Sequence, residues 1–298
     1  MRPLAFNRDH QFCYGSAEKV APGVRRITAE NPGPYTFYGT GSYILGEGEV
    51  AVIDPGPEMP EHHQALCDAI SRERVTHLVV THCHLDHAGL ARRFAHSCGQ
   101  KILGFVHGDD WSKPLGAESA ASNYRPDQGL RDGDLLEGAD YRLRVLHTPG
   151  HTSDHLCLVD ETNGNLYCGD HIMAWSSTVI LPPDGNMGQY IKNLERLKRF
   201  DDYTFWPTHG PCITRPSQWI SQLLNHRQER EEQLVGTLKK GPASPLGLVT
   251  KLYPDLDPRL HGAASQSIFA GLLYLREREL VSCGAREPAR DSAFVWCG

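Results

Sequence analysis

Within the run THCHLDHAG, residues 81–89, four groups able to bind a metal ion fall in six positions: His82, His84, Asp86 and His87. Neutral imidazole is the commonest protein ligand for zinc-like ions, and carboxylates complete a donor set suited to activating water. Packing offers no reason to crowd such groups together, and a buried carboxylate without a partner is costly. The run is therefore read as the centre of a metal site. A loop this short cannot surround two ions, so a binuclear centre needs His or Asp residues from other loops. His151 in HTPGHTSDH, Asp170 in YCGDH and His209 in WPTHGP supply them, each at a predicted strand end that enters a Gly- or Pro-containing turn. Taken singly each is an ordinary turn residue; together with the run they make seven nitrogen and oxygen ligands.

Such a set needs a scaffold of strand ends. Apolar runs at VRRITAE, SYILGEGEVAVIDPG and VTHLVVTH, bounded by Gly and Pro, predict strands joined by tight turns. Between the last two, PEHHQALCDAISRER places Ala65, Leu66, Ala69 and Ile70 at helical spacing. If the strand VTHLVV continues into the run, alternation sends His82 and His84 to one side. A helix is predicted over 87–97, strands at KILGFVH and YRLRVL, and a hairpin at HLCLVDETNGNLYCGD turning on Asn163-Gly164. A helix with Tyr190, Leu194 and Leu197 on one face precedes the strand YTFWPTHG. The architecture is mixed α/β. From residue 218 a long charged helix, short helices near 245–253 and 262–279, and two short strands predict a winged-helix-like domain; the expected division is 1–217 and 218–298.

Composition narrows the function. The nine cysteines are odd in number and form no CxxC pair, which argues against a disulfide framework and a thiolate zinc site. A formal charge of −6 disfavours a general polyanion binder, whereas sixteen histidines suit a metalloprotein. No stretch has the length and apolarity of a membrane span, and MRPLAFNRDHQFCYG lacks the apolar core of a secretory signal, so a cytoplasmic location and no membrane partner are expected.

The succession HxHxDH, PGHT, GD and HG resembles the metallo-β-lactamase superfamily over roughly residues 18–215. The resemblance implies an αββα sandwich in which His82, His84 and His151 hold one metal, Asp86, His87 and His209 the other, and Asp170 bridges them. It implies two divalent ions, zinc by default with iron or manganese as alternatives, sharing a hydroxide that attacks the substrate. Asp86 would also relay a proton to the leaving group. Asp54, in VAVIDPG, resembles a carboxylate that supports a ligand from behind, though it reads equally well as a cap of the turn before Pro55. His155 and His171 sit beside ligands, as supports, substrate contacts or plain turn residues.

The opening NPGPYTFYGTGSYILG, HTPGHTSDH and the winged-helix-like end together resemble the branch that contains β-lactamase-like protein 2. Gly41 and Ser42 stand where that branch usually has Asn and Thr, and PTHGP replaces its PGHGP. Asp170 speaks against the β-lactamases themselves, which lack a bridging Asp. Members of the branch include a single-strand ribonuclease and relatives of acyl thioesterases. Residues 225–298 carry ten Lys or Arg against nine Asp or Glu, without a basic stripe or interleaved aromatics, so an ester, thioester or lactone is expected over RNA. The alternatives are a single-strand endoribonuclease or phosphodiesterase, and a non-catalytic metal-binding regulator that binds nucleic acid through its winged helix. Against the last, structural zinc sites are closed and usually rich in Cys. HGAASQSIFAGLLYLRERE is mostly apolar and is read as a packing or homodimer element, and 111–129 as a surface segment that either covers the site or merely connects.

Overall fold

Alternation along the strands decides the layers. In EVAVI, Val50 and Val52 pack outward against helices while Ala51 and Ile53 pack inward; in LCLVD, Cys157 and Val159 face out while Leu156 and Leu158 face in. A strand buried on both faces needs a cover on each side. The computed structural model describes residues 4–106, 124–258 and 261–298, and supplies those covers. Most of the 111–129 segment lies outside the described residues.

The first sheet runs β1 (Glu18–Ala21), β2 (Val24–Thr28), β3 (Gly41–Leu45), β4 (Glu49–Ile53), β5 (Arg74–Val79), β6 (Ile102–Phe105) and β7 (Gln128–Leu130) in chain order. Helices α1 (Pro60–Ala69) and α3 (Ala91–Cys98) cover its outer face through Leu66 and Phe94, and the single turn α2 (Leu85–Ala88) lies between β5 and α3. The second sheet has the order β12-β11-β10-β9-β8, from β8 (Leu135–Glu137), β9 (Arg142–His147), β10 (Leu156–Asp160), β11 (Asn165–Gly169) and β12 (Thr204–Pro207). Helices α4 (Met187–Leu197) and α5 (Pro216–Leu238) cover it through Tyr190, Leu194, Trp219 and Ile220. The inner faces meet over Tyr43, Ile53, Val79, Leu143, Leu158 and Tyr167. The expected αββα sandwich is the observed one.

The remainder is a winged helix: the end of α5, then α6 (Pro245–Leu252), α7 (His261–Glu277) and the hairpin β13 (Val281–Cys283) and β14 (Phe294–Trp296). Ser244 starts α6 by accepting the Gly247 N–H at 3.2 Å, and Phe269, Leu272 and Phe294 fill the small core. The expected boundary at 217/218 falls in the first turn of α5. That helix packs on the second sheet with Leu223 and in the winged helix with Leu234 and Leu238. Ile268, Phe269, Leu272 and Leu275 of α7 are likewise buried within the chain. None of the nine cysteines is paired, and among the described residues no helix is long and apolar enough to cross a membrane.

Candidate metal centre

Five strand ends converge at one edge of the sandwich. Parallel pairing of β4 with β5 sets Asp54 beside Thr81, whose N–H and hydroxyl donate to Asp54 Oδ1 and Oδ2 at 2.7 and 2.8 Å. Across the sandwich, β9, β11 and β12 deliver His151, Asp170 and His209 from the loops that follow them. One expectation is corrected: β5 stops at Val79, so bends and the start of α2, not strand alternation, orient His82 and His84. Even so, His84 Nδ1 lies 2.9 Å from His82 Nε2 and 3.1 Å from His151 Nε2.

Hydrogen bonds from behind fix the tautomers. His151 Nδ1 donates to Val179 O at 2.7 Å and His209 Nδ1 to Gly39 O at 3.0 Å, because a carbonyl can only accept. His87 Nδ1 donates to Asp54 Oδ2 at 2.8 Å. The Thr81 hydroxyl proton is already given to Asp54, so its oxygen accepts from His82 Nδ1 at 3.0 Å. Four rings are thereby turned with their Nε2 lone pairs to a common centre, the arrangement in which a metal-ligating His keeps its other nitrogen engaged. Asp54, at φ +51° and fully buried, is thus a support for His87 as well as a turn residue.

All seven expected ligands meet. The donor atoms of His82, His84 and His151 lie within 4.8 Å of one another, as do those of Asp86, His87 and His209, and those of His82, His87 and Asp170. A metal fits this set. His87 Nε2, His209 Nε2 and Asp170 Oδ1 are buried without a hydrogen-bond partner, and three ring nitrogens meet at His84 with too few protons to satisfy them. Charge agrees with that. Burial opposes ionisation of Asp86 and Asp170, but neighbouring His87 and His209 outweigh it and hold both below the usual carboxylate range. Burial likewise works against His87 and His209 as cations, yet the carboxylates raise both. His82 and His84 are pushed down by burial and then by neighbouring rings, His84 to about 3, so they are neutral donors at pH 7.

His155 and His171 part company. Asp170 N–H donates to His155 Nε2 at 3.1 Å, which leaves Nδ1–H to donate to Thr148 Oγ1 at 2.9 Å. His155 therefore orders the backbone at Asp170. It also accounts for the Gly before that Asp: Gly169 has φ +50°, and a Cβ there would lie 2.6 Å from His155 Nε2. His171 instead packs on the Tyr190 ring at 4.9 Å with both ring nitrogens buried and unpartnered.

Two contributors were not evident in the sequence. Arg26, 3% exposed, donates from Nη1 to Gly210 O at 2.7 Å and from Nη2 to Thr208 O at 2.9 Å, and so grips the turn on both sides of His209. Its room comes from Gly41, where a Cβ would lie 2.1 Å from Arg26 Nε. Gly41→Asn is expected to destabilise the fold by about 2 kcal/mol through overpacking. In an Arg26→Ala background the same change should cost far less, a coupling of about 1–2 kcal/mol in urea unfolding. Additive effects would refute the pairing.

The second is Asp154, buried between Thr152, Cys83 and Asp184, with Oδ1 unpartnered. Burial, helped by the Asp184 carboxylate against the pull of Thr152, raises its carboxyl from 3.8 to about 7. The fold thus holds a proton that the unfolded chain releases above 3.8, so this contribution is fully present below that pH and is lost as pH rises through about 7. Asp154→Asn removes the titration. Its stability relative to the parent should rise by about 4 kcal/mol between pH 4 and pH 8. Urea midpoints of both proteins across that range test it, and a constant difference would show that Asp154 does not titrate there.

Residues 35–209, more than half of the chain, match the family model described as the metallo-beta-lactamase superfamily. The chain belongs to the metallo-β-lactamase superfamily. Residues 244–286 match the beta-lactamase associated winged helix domain, so both halves of this superfamily hydrolase have known counterparts. A Caenorhabditis elegans beta-lactamase-like protein 2 homolog is 27% identical over 286 residues, covering 94% of this chain and 92% of that protein. The atrochrysone carboxyl ACP thioesterase of Aspergillus chevalieri is 25% identical over 280 residues, covering 91% and 84%. A beta-lactamase domain protein from Burkholderia ambifaria superposes with a TM-score of 0.80 at 21% identity, covering 99% of this chain and 96% of that one. Metallo-β-lactamase folds bind divalent metals, and the His/Asp cluster is where this one could do so.

Proposed function

We propose that the chain is a binuclear, zinc-dependent hydrolase that cleaves an acyl ester, thioester or lactone. Asp170 carries this reading: its Oδ1 lies 3.5 Å from His87 Nε2 and 3.4 Å from His209 Nε2, while its Oδ2 lies 3.7 Å from His151 Nε2. One carboxylate with an oxygen toward each trio suits a pair of ions. His82, His84 and His151 would hold one, Asp86, His87 and His209 the other, and Asp170 both. Ions bound there supply Lewis acidity, bringing the pKa of water from about 15.7 towards 7 and polarising the oxygen of the electrophile.

The chain's own groups orient the reaction. Asp86, its side chain 26% exposed, has Oδ2 at 3.1 Å from His209 Nε2 and a free edge from which to pass a proton to the leaving group. Phe37 and Trp175 stack at 4.7 Å, and Trp175 packs against Gly210 beside His209, forming an apolar wall on which an acyl group can rest. The thioesterase among the relatives supports an acyl thioester, and the net charge of −6 disfavours RNA.

Metal analysis of the purified chain tests the reading when followed by turnover of p-nitrophenyl esters, acyl thioesters, lactones, bis-p-nitrophenyl phosphate and single-stranded RNA. Two zinc ions per chain are expected, with thioester or ester turnover lost to a chelator and restored by zinc. Asp86→Ala should slow turnover at least about 100-fold, with metal content read on the same preparation to separate loss of the ion from loss of the proton relay. Cleavage of RNA alone would overturn the substrate, and metal without any turnover the hydrolase.

A further inference from the structure

Where α5 passes from the metal-binding domain into the winged helix, it encloses with α4, α6 and α7 a cavity of about 210 Å³. Drug-sized sites span roughly 300–1,000 Å³, so an occupant here is small. Its walls differ in chemistry. Met187, Ile191, Leu252 and Ile268 make one side apolar, and Arg227 and Arg230, neighbours on one face of α5, make the other cationic.

Among the described residues neither guanidinium is paired with a carboxylate. Arg227 donates from Nη2 to Thr178 O and lies 5.1 Å over the Tyr190 ring, and its Nε–H is buried without an acceptor. Arg230 donates to Gln233 Oε1 at 2.9 Å and lies 5.2 Å over the Tyr253 ring. Glu231, also on the wall, is paired with Arg278. His226 beside them stays neutral, since burial and then Arg227 and Arg230 lower it to about 4. Two cations held in place by ring faces beside an apolar surface, with the Glu231 carboxylate engaged by Arg278 and Arg227 Nε–H lacking an acceptor, leave donors that a bound anion would satisfy.

We propose that this cavity binds a small anionic amphiphile, with a carboxylate or phosphate monoester head on Arg227 and Arg230 and a short unbranched apolar arm against Met187, Ile191, Leu252 and Ile268. None of the seven candidate metal ligands lines this cavity, and the proposal does not rest on the hydrolase reading.

Calorimetric titration of the full chain with octanoate and with octyl phosphate tests it, against octanol, octylamine and inorganic phosphate. At least one of the two amphiphiles should bind saturably, one per chain, at least tenfold tighter than octanol or inorganic phosphate; the tighter of the two identifies the head group, and octylamine should not bind. Arg230→Gln should weaken binding at least tenfold, and Ser267→Leu, which intrudes from α7, should abolish it even if Arg230→Gln folds poorly. Binding must persist in Asp170→Asn. Octanol or inorganic phosphate binding as well as the amphiphiles, unchanged binding in Arg230→Gln, loss in Asp170→Asn, or no saturable binding would each overturn the proposal.

Discussion

Asp170→Asn is expected to lower kcat/KM by about 10³-fold and to reduce the metal content from a pair of ions to a single one. Asn keeps the volume but has one oxygen, so it can face one trio as an acceptor and must turn an NH2 to the other. The two carboxylate oxygens now lie between 3.4 and 3.7 Å from ring nitrogens on opposite sides. Removing one partner from a buried charged set costs about 3–5 kcal/mol, and each 1.36 kcal/mol is tenfold in rate. Metal stoichiometry and turnover must be read on the same preparation. A variant with both ions and full activity would refute the bridging role; a variant with both ions and no activity would move Asp170 from holding metal to acting on substrate.

A smaller loss, in metal affinity and stability, is expected for Asp54→Asn, because Asp54 lies behind the candidate ligands. Its carboxylate accepts Thr81 N–H, Thr81 Oγ1–H, His87 Nδ1–H and Thr208 Oγ1–H at 2.7, 2.8, 2.8 and 3.2 Å. Asn tolerates the φ of +51°, so the backbone should hold while an NH2 is forced against donors. We expect metal affinity to fall about 10–100-fold, as for other supports of metal-bound imidazole, and stability by about 2–4 kcal/mol. Competition with a chromophoric chelator measures the first and urea unfolding the second. Unchanged affinity in a destabilised protein would reduce Asp54 to a structural residue.

Why Asp54 read two ways in the sequence is instructive. An Asp before Pro is a common turn residue, and only the parallel neighbour β5, distant in sequence, reveals that its oxygens face Thr81 and His87. The convergence of the seven candidate ligands was legible because each follows a strand whose apolar run is plain, and because His and Asp clustered at strand ends have few packing explanations. Arg26 was hidden by the same logic: in VRRIT it looks like a second solvent-facing Arg beside Arg25, and its burial depends on Gly41 and on a turn nearly two hundred residues away. Nothing local in HTSDH signals that the surroundings of Asp154 exclude water. His171, adjacent to a ligand in sequence, turns the other way because the two side chains flanking a backbone bond need not share a direction.

Each trio takes two of its members from the segment after β5 and one from a loop of the second sheet: His82 and His84 with His151, Asp86 and His87 with His209. Neither half of the sandwich holds a whole trio. Ion uptake during refolding would therefore date the moment at which the two halves dock, and should lag the formation of either sheet. An ion held there would tie together segments that otherwise separate, since anything that binds only the closed form deepens its stability by mass action. Cleaving the chain between β7 and β8 should leave two fragments that take up metal only when mixed, which makes the site a reporter of its own assembly.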